Sequence, residues 1–210
     1  ILLAFLLGSI PTGYLLTKLA GLSDIRKFGS GNIGATNVLR HSGKLLALLT
    51  LLIDIGKGFF AVLLGYAVLN NDKLDSFHKT EEIMVLGSAV VLGHIFSPWL
   101  KFKGGKGVAT MFGVILFISM VCPEKCRWLR DFNFENNIFL ITIFSWLMII
   151  FFTRYVALGS VISLTLATIY SLFFLKPLFI FFVLMTLLIT YKHKDNFERI
   201  KNNKEHKITF

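Results

Sequence analysis

The chain has 210 residues, 55% of them hydrophobic, with 22 Phe and a formal net charge of +10; its mean hydropathy is +0.71. Soluble domains average roughly 45–50% apolar. Here the apolar residues also fall in long runs, which excludes a soluble domain with a large core and gives an all-α polytopic membrane protein. In such a chain the surplus of Lys and Arg sets topology and meets lipid headgroups or an anionic substrate, so no nucleic-acid partner is expected.

Apolar segments are expected near 1–20, 44–69, 83–100, 107–122, 137–153, 155–175 and 177–191, about seven transmembrane helices. A span needs ~20 residues. The segments at 107–122 and 177–191 are short, and are read as little tilted, re-entrant or extended by their flanks. The first segment lacks a basic n-region and is read as a span, not a cleavable signal. Pro11, within Gly8-Ser9-Ile10-Pro11-Thr12-Gly13, predicts a kink with small residues that permit close helix contact. Pro98 ends or bends the third segment, and Lys176-Pro177 marks a turn between the last two. There is no internal repeat and no low-complexity linker, so residues 1–210 are read as one domain.

Loop charge then orients the chain. Fourteen of the 22 Lys and Arg fall on the side that holds the loops near 21–44, 100–107 and 153–155 and the C-terminal tail. Six fall on the opposite side, and Lys18 and Lys57 lie within spans. The positive-inside bias puts the tail and those loops in the cytoplasm and the N-terminus outside. The opposite loops, near 70–82 and 123–136, read as solvated connectors. In the second of them Cys122 and Cys126 read either as incidental thiols or as a disulfide in an oxidising space.

The first polar constellation is Gly29-Ser30-Gly31-Asn32-Ile33-Gly34-Ala35-Thr36-Asn37, followed by Arg40. Its glycines allow close backbone approach, and successive amides there can form an anion nest. Ser30, Asn32, Thr36 and Asn37 add neutral hydrogen-bonding groups, and Arg40 adds a planar fork suited to phosphate or carboxylate. A plain connecting loop is the other reading. Asp54 and Lys57, at i and i+3 inside the second apolar segment, read as a structural ion pair or as part of a site. His94 reads as a buried, hydrogen-bonded histidine.

The second constellation is Lys101-Phe102-Lys103-Gly104-Gly105-Lys106-Gly107, leading into Val108-Ala109-Thr110. Amides at a helix N-terminus together with ammonium groups form an anion site. Nucleotide P-loop spacing is absent. A basic anchor alone would not need Gly104, Gly105 and Gly107, so phosphate binding is favoured. Arg154 enters a span from the cytoplasmic side and snorkels to headgroups; Ser160 lies further in. The tail after Tyr191 reads as a basic juxtamembrane helix, bound to anionic lipid or carrying His193 and Asn196 on one face toward the anion site. No GxSxG, HExxH or CxxC pattern and no carboxylate-rich metal cluster occurs, so covalent and metal catalysis lack support in the residues.

Taken in order, Gly8-Ser9-Ile10-Pro11, the run 29–40, Asp54-Ile55-Gly56-Lys57-Gly58, Gly93-His94, the run 101–110, Arg154-Tyr155-Val156 with Ser160, and His193-x-x-Asn196 resemble the PlsY-type membrane acyltransferases. These are bacterial acyl-phosphate:glycerol-3-phosphate acyltransferases. The resemblance covers nearly the whole chain. It implies acyl transfer from fatty acyl phosphate to the 1-hydroxyl of glycerol 3-phosphate, giving lysophosphatidic acid and phosphate. It also implies an inner-membrane enzyme with a cytoplasmic site, no metal or other cofactor, membrane lipid as its surroundings and no obligate protein partner. The site residues it carries over are Ser30, Asn32, Arg40, Lys106, Ser160, His193 and Asn196; the residue reading adds Gly31, Gly34, Asn37, Lys103, Gly104 and Gly105. On this basis Arg40, Ser30, His193 and Asn196 hold glycerol 3-phosphate and the Lys106 segment holds the acyl phosphate. One departure is that Asn203-Lys204 precede Glu205, where the family commonly has Gly-Thr. A transporter of a phosphate-containing anion is the alternative class; it would show an inverted repeat and broken helices at mid-membrane. A non-catalytic lipid-binding protein would explain the basic tail but not two Gly-rich segments.

Overall fold

The computed structural model describes residues 1–69, 76–121 and 137–208, and these are all-helical, with turns and short loops between. Cys122 and Cys126, and most of the connectors read at 70–82 and 123–136, lie outside the described residues. Two compact units are present, Ile1–Leu74 with Glu81–Phe117, and Asp75–Thr80 with Ile118–Phe210.

The first unit begins with α1 (Leu2–Ser9) and α2 (Thr12–Leu19), which meet at 41°. Pro11 has no amide hydrogen and cannot continue the ladder, so the kink expected there is present. A polar stretch follows, then α3 (Ala35–Ser42) and α4 (Lys44–Leu69), separated only by Gly43 at φ 86°. That left-handed residue ends one helix and starts the next. Helix α5 (Ser76–Ile95) ends three residues before Pro98, and α6 (Val108–Val121) follows the second Gly-rich stretch.

Lipid is as apolar as the side chains, so helices in it associate through close packing. Gly8 on α1 lies against the carbonyl of Val90, and Gly93 on α5 lies against that of Phe5. Likewise Gly58 on α4 lies against the carbonyl of Thr110, and Gly113 on α6 against that of Ile55. A methyl at any of the four would overlap a backbone oxygen. Two reciprocal glycine contacts therefore set the α1/α5 and α4/α6 spacings.

The second unit holds α7 (Asn137–Thr153), α8 (Val156–Phe174), α9 (Phe179–Lys192) and α10 (Lys194–Lys201). Gly159 lets α8 pack on Ile150 of α7, and Thr168 hydrogen-bonds Thr186 across α8 and α9 at 2.9 Å. The basic juxtamembrane helix expected after Tyr191 is present as α10. The chain bends by 52° where α9 gives way to α10, and His193 is the residue between them.

Each apolar segment expected from the sequence is helical among the described residues. Three stretches, Lys44–Val68, Thr80–Leu100 and Val156–Phe174, are long and apolar enough to cross a membrane alone, and the two bent pairs would raise that to five. Helices α6 and α7 are apolar but shorter, at 14 and 17 residues.

Candidate functional site

The stretch before α3 is built from its own polar groups. Asp24 caps a 3-10 turn over Ile25–Lys27, accepting from the Arg26 amide at 3.0 Å, while the Arg26 guanidinium meets the same carboxylate at 2.6 Å. The hydrogen bonds from Arg26 pull the Asp24 carboxyl from 3.8 down to about 2. The contribution of this pair to stability is therefore present above pH 3.8 and lost as pH falls through about 2. In Arg26→Ala the Asp24 titration, followed by carboxyl NMR, is expected to return toward 3.8; a midpoint still near 2 would refute the pairing.

Gly29 and Gly31 follow in the left-handed region, at φ 57° and 69°, where a side chain is strained. They curl the backbone around Asn37, which is 1% exposed. Asn37 Nδ2 donates to the carbonyls of Ile25, Phe28 and Asn32 at 3.2, 3.0 and 2.8 Å. Its Oδ1 accepts from the Ser30 amide at 3.1 Å. The Gly31 amide bonds Phe28 O at 2.9 Å, and the Gly34 amide bonds Asn32 Oδ1 at 2.9 Å. Ser30, Gly31 and Gly34 spend their N–H groups inside the loop, so these three amides are not available to an anion nest. The side chains of Ser30 and Asn32 are half-buried. Arg40, also half-buried, stands on α3 and not in a loop, one turn beyond Asn37.

The second Gly-rich stretch folds back on the end of α5. Phe102 N donates to Ser97 O at 2.9 Å, Gly104 N to Ile95 O at 3.1 Å and Gly105 N to His94 O at 3.0 Å. These bonds satisfy carbonyls that a helix C-terminus otherwise leaves open. Lys101 and Phe102 take left-handed φ values of 53° and 61°, conformations that cost energy in residues with side chains. Ser97 Oγ and Trp99 Nε1 tie the turn to Ser9 at the end of α1, at 2.6 and 2.8 Å. Gly107 then precedes α6, and of the lysines before it Lys103 is exposed and Lys106 half-buried. Leu100 shares an apolar cluster with Ile25, Ile33, Val38 and Ala47. Both Gly-rich stretches of this unit are therefore anchored in one core.

In the second unit Ser160, 2% exposed, donates to Val156 O at 2.8 Å and accepts from Trp146 Nε1 at 3.3 Å. His193, 3% exposed, bonds the Ile189 carbonyl through Nδ1 at 2.8 Å. A carbonyl only accepts, so Nδ1 carries a hydrogen. Asn196 Nδ2 donates to Glu205 Oε1 at 3.0 Å, and Arg199 Nε to Glu205 Oε2 at 2.6 Å. The chain beyond Glu205 returns to the α7/α8 corner, where Ile208 N donates to Arg154 O at 2.9 Å. Glu205 is the residue that the candidate set omitted. In the sequence it was marked only by the resemblance, as the glutamate that Asn203-Lys204 precede.

The family model described as glycerol-3-phosphate acyltransferase matches residues 1–203. A glycerol-3-phosphate acyltransferase of Pelagibacter ubique is 39% identical over 206 residues, covering 97% of this chain and 93% of its own. One from Bartonella henselae is 40% identical over 209 residues, covering 99% and 89%. A crystal structure of PlsY (YgiH), an integral membrane glycerol 3-phosphate acyltransferase in its glycerol 3-phosphate form, superposes with a TM-score of 0.79 at 32% identity, covering 99% of this chain and 93% of that one. Its lysophosphatidic acid form gives 0.77. Matched by the family model over residues 1–203 and 39% identical to a relative over 97% of its length, this chain belongs to the glycerol-3-phosphate acyltransferase family.

Proposed function

We propose that this protein transfers a fatty acyl group from acyl phosphate to the 1-hydroxyl of glycerol 3-phosphate, giving 1-acyl-glycerol 3-phosphate and inorganic phosphate. The family match over residues 1–203 carries the reading. Two further observations support it. Both anionic substrates need phosphate recognition, and the chain has two Gly-rich, basic stretches. The donor is an amphiphile, which suits an all-helical membrane fold. In this reading residues 1–210 act as one domain in the bacterial inner membrane, crossing about seven times, with the basic stretches and the C-terminus in the cytoplasm.

The reaction forms a C–O bond between the glycerol oxygen and the acyl carbon and breaks the bond from that carbon to the phosphate oxygen. An acyl phosphate is a mixed anhydride with a good leaving group, so positioning and charge stabilisation suffice for much of the rate. Arg40, Ser30, His193 and Asn196 are assigned to glycerol 3-phosphate. Lys106, with Lys103 and the segment 104–107, neutralises the donor phosphate. The hydroxyl proton goes to the departing phosphate or to Nε2 of His193; an undiminished rate in His193→Gln would assign it to the phosphate.

Purified protein in lipid, given radiolabelled glycerol 3-phosphate, a chelator and either palmitoyl phosphate or palmitoyl-CoA, tests the reaction. Product from the acyl phosphate alone is expected. Product from the thioester alone would overturn the donor assignment, and no product from folded protein would overturn the enzyme reading. Arg40→Lys replaces a bidentate fork by a point charge, so KM for glycerol 3-phosphate is expected to rise about tenfold. An unchanged KM would remove Arg40 from that role.

A further inference from the structure

The first unit contains buried charged and polar side chains to which the mechanism above gives no part. Asp54 on α4 is 2% exposed and His94 on α5 is 4% exposed. Lys57 Nζ lies 2.8 Å from Asp54 Oδ1 and donates to the carbonyl of Ile10 at 2.9 Å. That carbonyl belongs to the break between α1 and α2. His94 Nδ1 lies 3.8 Å from the same Asp54 oxygen and makes no hydrogen bond among the described residues. On its other side the ring presses on the second Gly-rich stretch. A methyl added at Gly105 would overlap His94 Nε2, and one at Gly104 would overlap the His94 carbonyl. His94 therefore shapes this stretch twice, by its ring and by its backbone hydrogen bond to Gly105.

A buried ion pair gives little stability over well-packed apolar residues of the same volume, so its presence calls for another role. Here the chain of contacts runs from the α1/α2 break through Lys57 and Asp54 to His94, and from there to the residue next to Lys106. Gly105 is the joint. We propose that Asp54, Lys57 and His94 are positioning residues that hold the segment 103–107 in the geometry its phosphate ligand needs. The proposal rests on the reading of that segment as the acyl-phosphate site.

The test uses the full chain in lipid and four variants, His94→Gln, Asp54→Asn, Lys106→Ala and the His94→Gln/Lys106→Ala double, with KM for each substrate, kcat and thermal stability measured for all. His94→Gln changes no formal charge and keeps the variant set informative if Asp54→Asn fails to fold. His94→Gln is expected to raise KM for palmitoyl phosphate about tenfold and to leave KM for glycerol 3-phosphate within about twofold. In the Lys106→Ala background the same change should add less than about twofold, because both residues act through one segment. Lower thermal stability with both KM values unmoved would show a structural role only and overturn the proposal. If Lys106→Ala shifts KM for glycerol 3-phosphate instead, the donor assignment fails. A parallel shift in His94→Gln would then still support the coupling, and an unmoved KM would overturn it.

Discussion

Asn37→Ala is expected to release the stretch 29–36 from α3 and to abolish most activity. The side chain places the two hydrogens of Nδ2 among three carbonyls and accepts one bond at Oδ1. A net hydrogen bond is worth about 0.5–1.5 kcal/mol, and a buried group left without a partner costs about 1–3 kcal/mol. Water can reach some of the freed groups after truncation, so a local loss of about 3 kcal/mol is expected. The Ser30 amide, covered by Asn37 Oδ1, should then exchange its hydrogen about a hundredfold faster. Asn37→Asp makes the sharper control. It keeps the shape and the acceptor for Ser30, but sets a carboxylate oxygen against the carbonyls of Ile25, Phe28 and Asn32. It should be at least as damaging as alanine. Normal Ser30 protection in the aspartate variant would show that the donated bonds do not hold the loop.

The second large effect is expected at Glu205, whose side chain is 5% exposed and paired with Arg199. One oxygen serves Asn196 and the other serves Arg199. Truncation to alanine removes two charge-assisted hydrogen bonds worth about 1.5–3 kcal/mol each. The Arg199 side chain is 34% exposed, so solvent screens part of its share, and a total near 3 kcal/mol is expected. Glu205→Gln retains only one side-chain acceptor for two donors and should cost about half as much. Limited proteolysis beyond α10 reports the release of the tail, and the rate of acyl transfer reports the loss of Asn196 placement. Equal protease resistance in the wild type and both variants would mean that Glu205 does not hold the tail.

Long apolar runs carried most of the fold in the sequence. Segments read at 44–69 and 137–153 became α4 and α7 with matching bounds, because lipid demands continuous helix and the side chains announce it. Pro11 announced its bend. Helix α3 carried no such signal, being eight polar-rich residues held by Val38 in a cluster with Ile25, Ile33 and Leu100. The bend at His193 was also silent, since neither Pro nor Gly marks it. For the site, residue type pointed to the right stretches but not to what each group bonds. Asn37 suits a ligand and a backbone carbonyl equally well, and only the fold shows that it serves the backbone. The Asp54–Lys57 pair was legible from its i, i+3 spacing. Its reach to His94, forty positions away, depends on how α4 and α5 lie in the unit.

That pairing within one helix also bears on biogenesis. A helix leaves the translocation machinery for lipid before its tertiary neighbours are in place, and a single Lys at its centre costs about 2.5–3.5 kcal/mol at that moment. Lys57 sits near the middle of Lys44–Leu69 with its counter-charge on the same helix face. Helix α4 therefore carries the counter-charge for Lys57 within itself when it enters lipid.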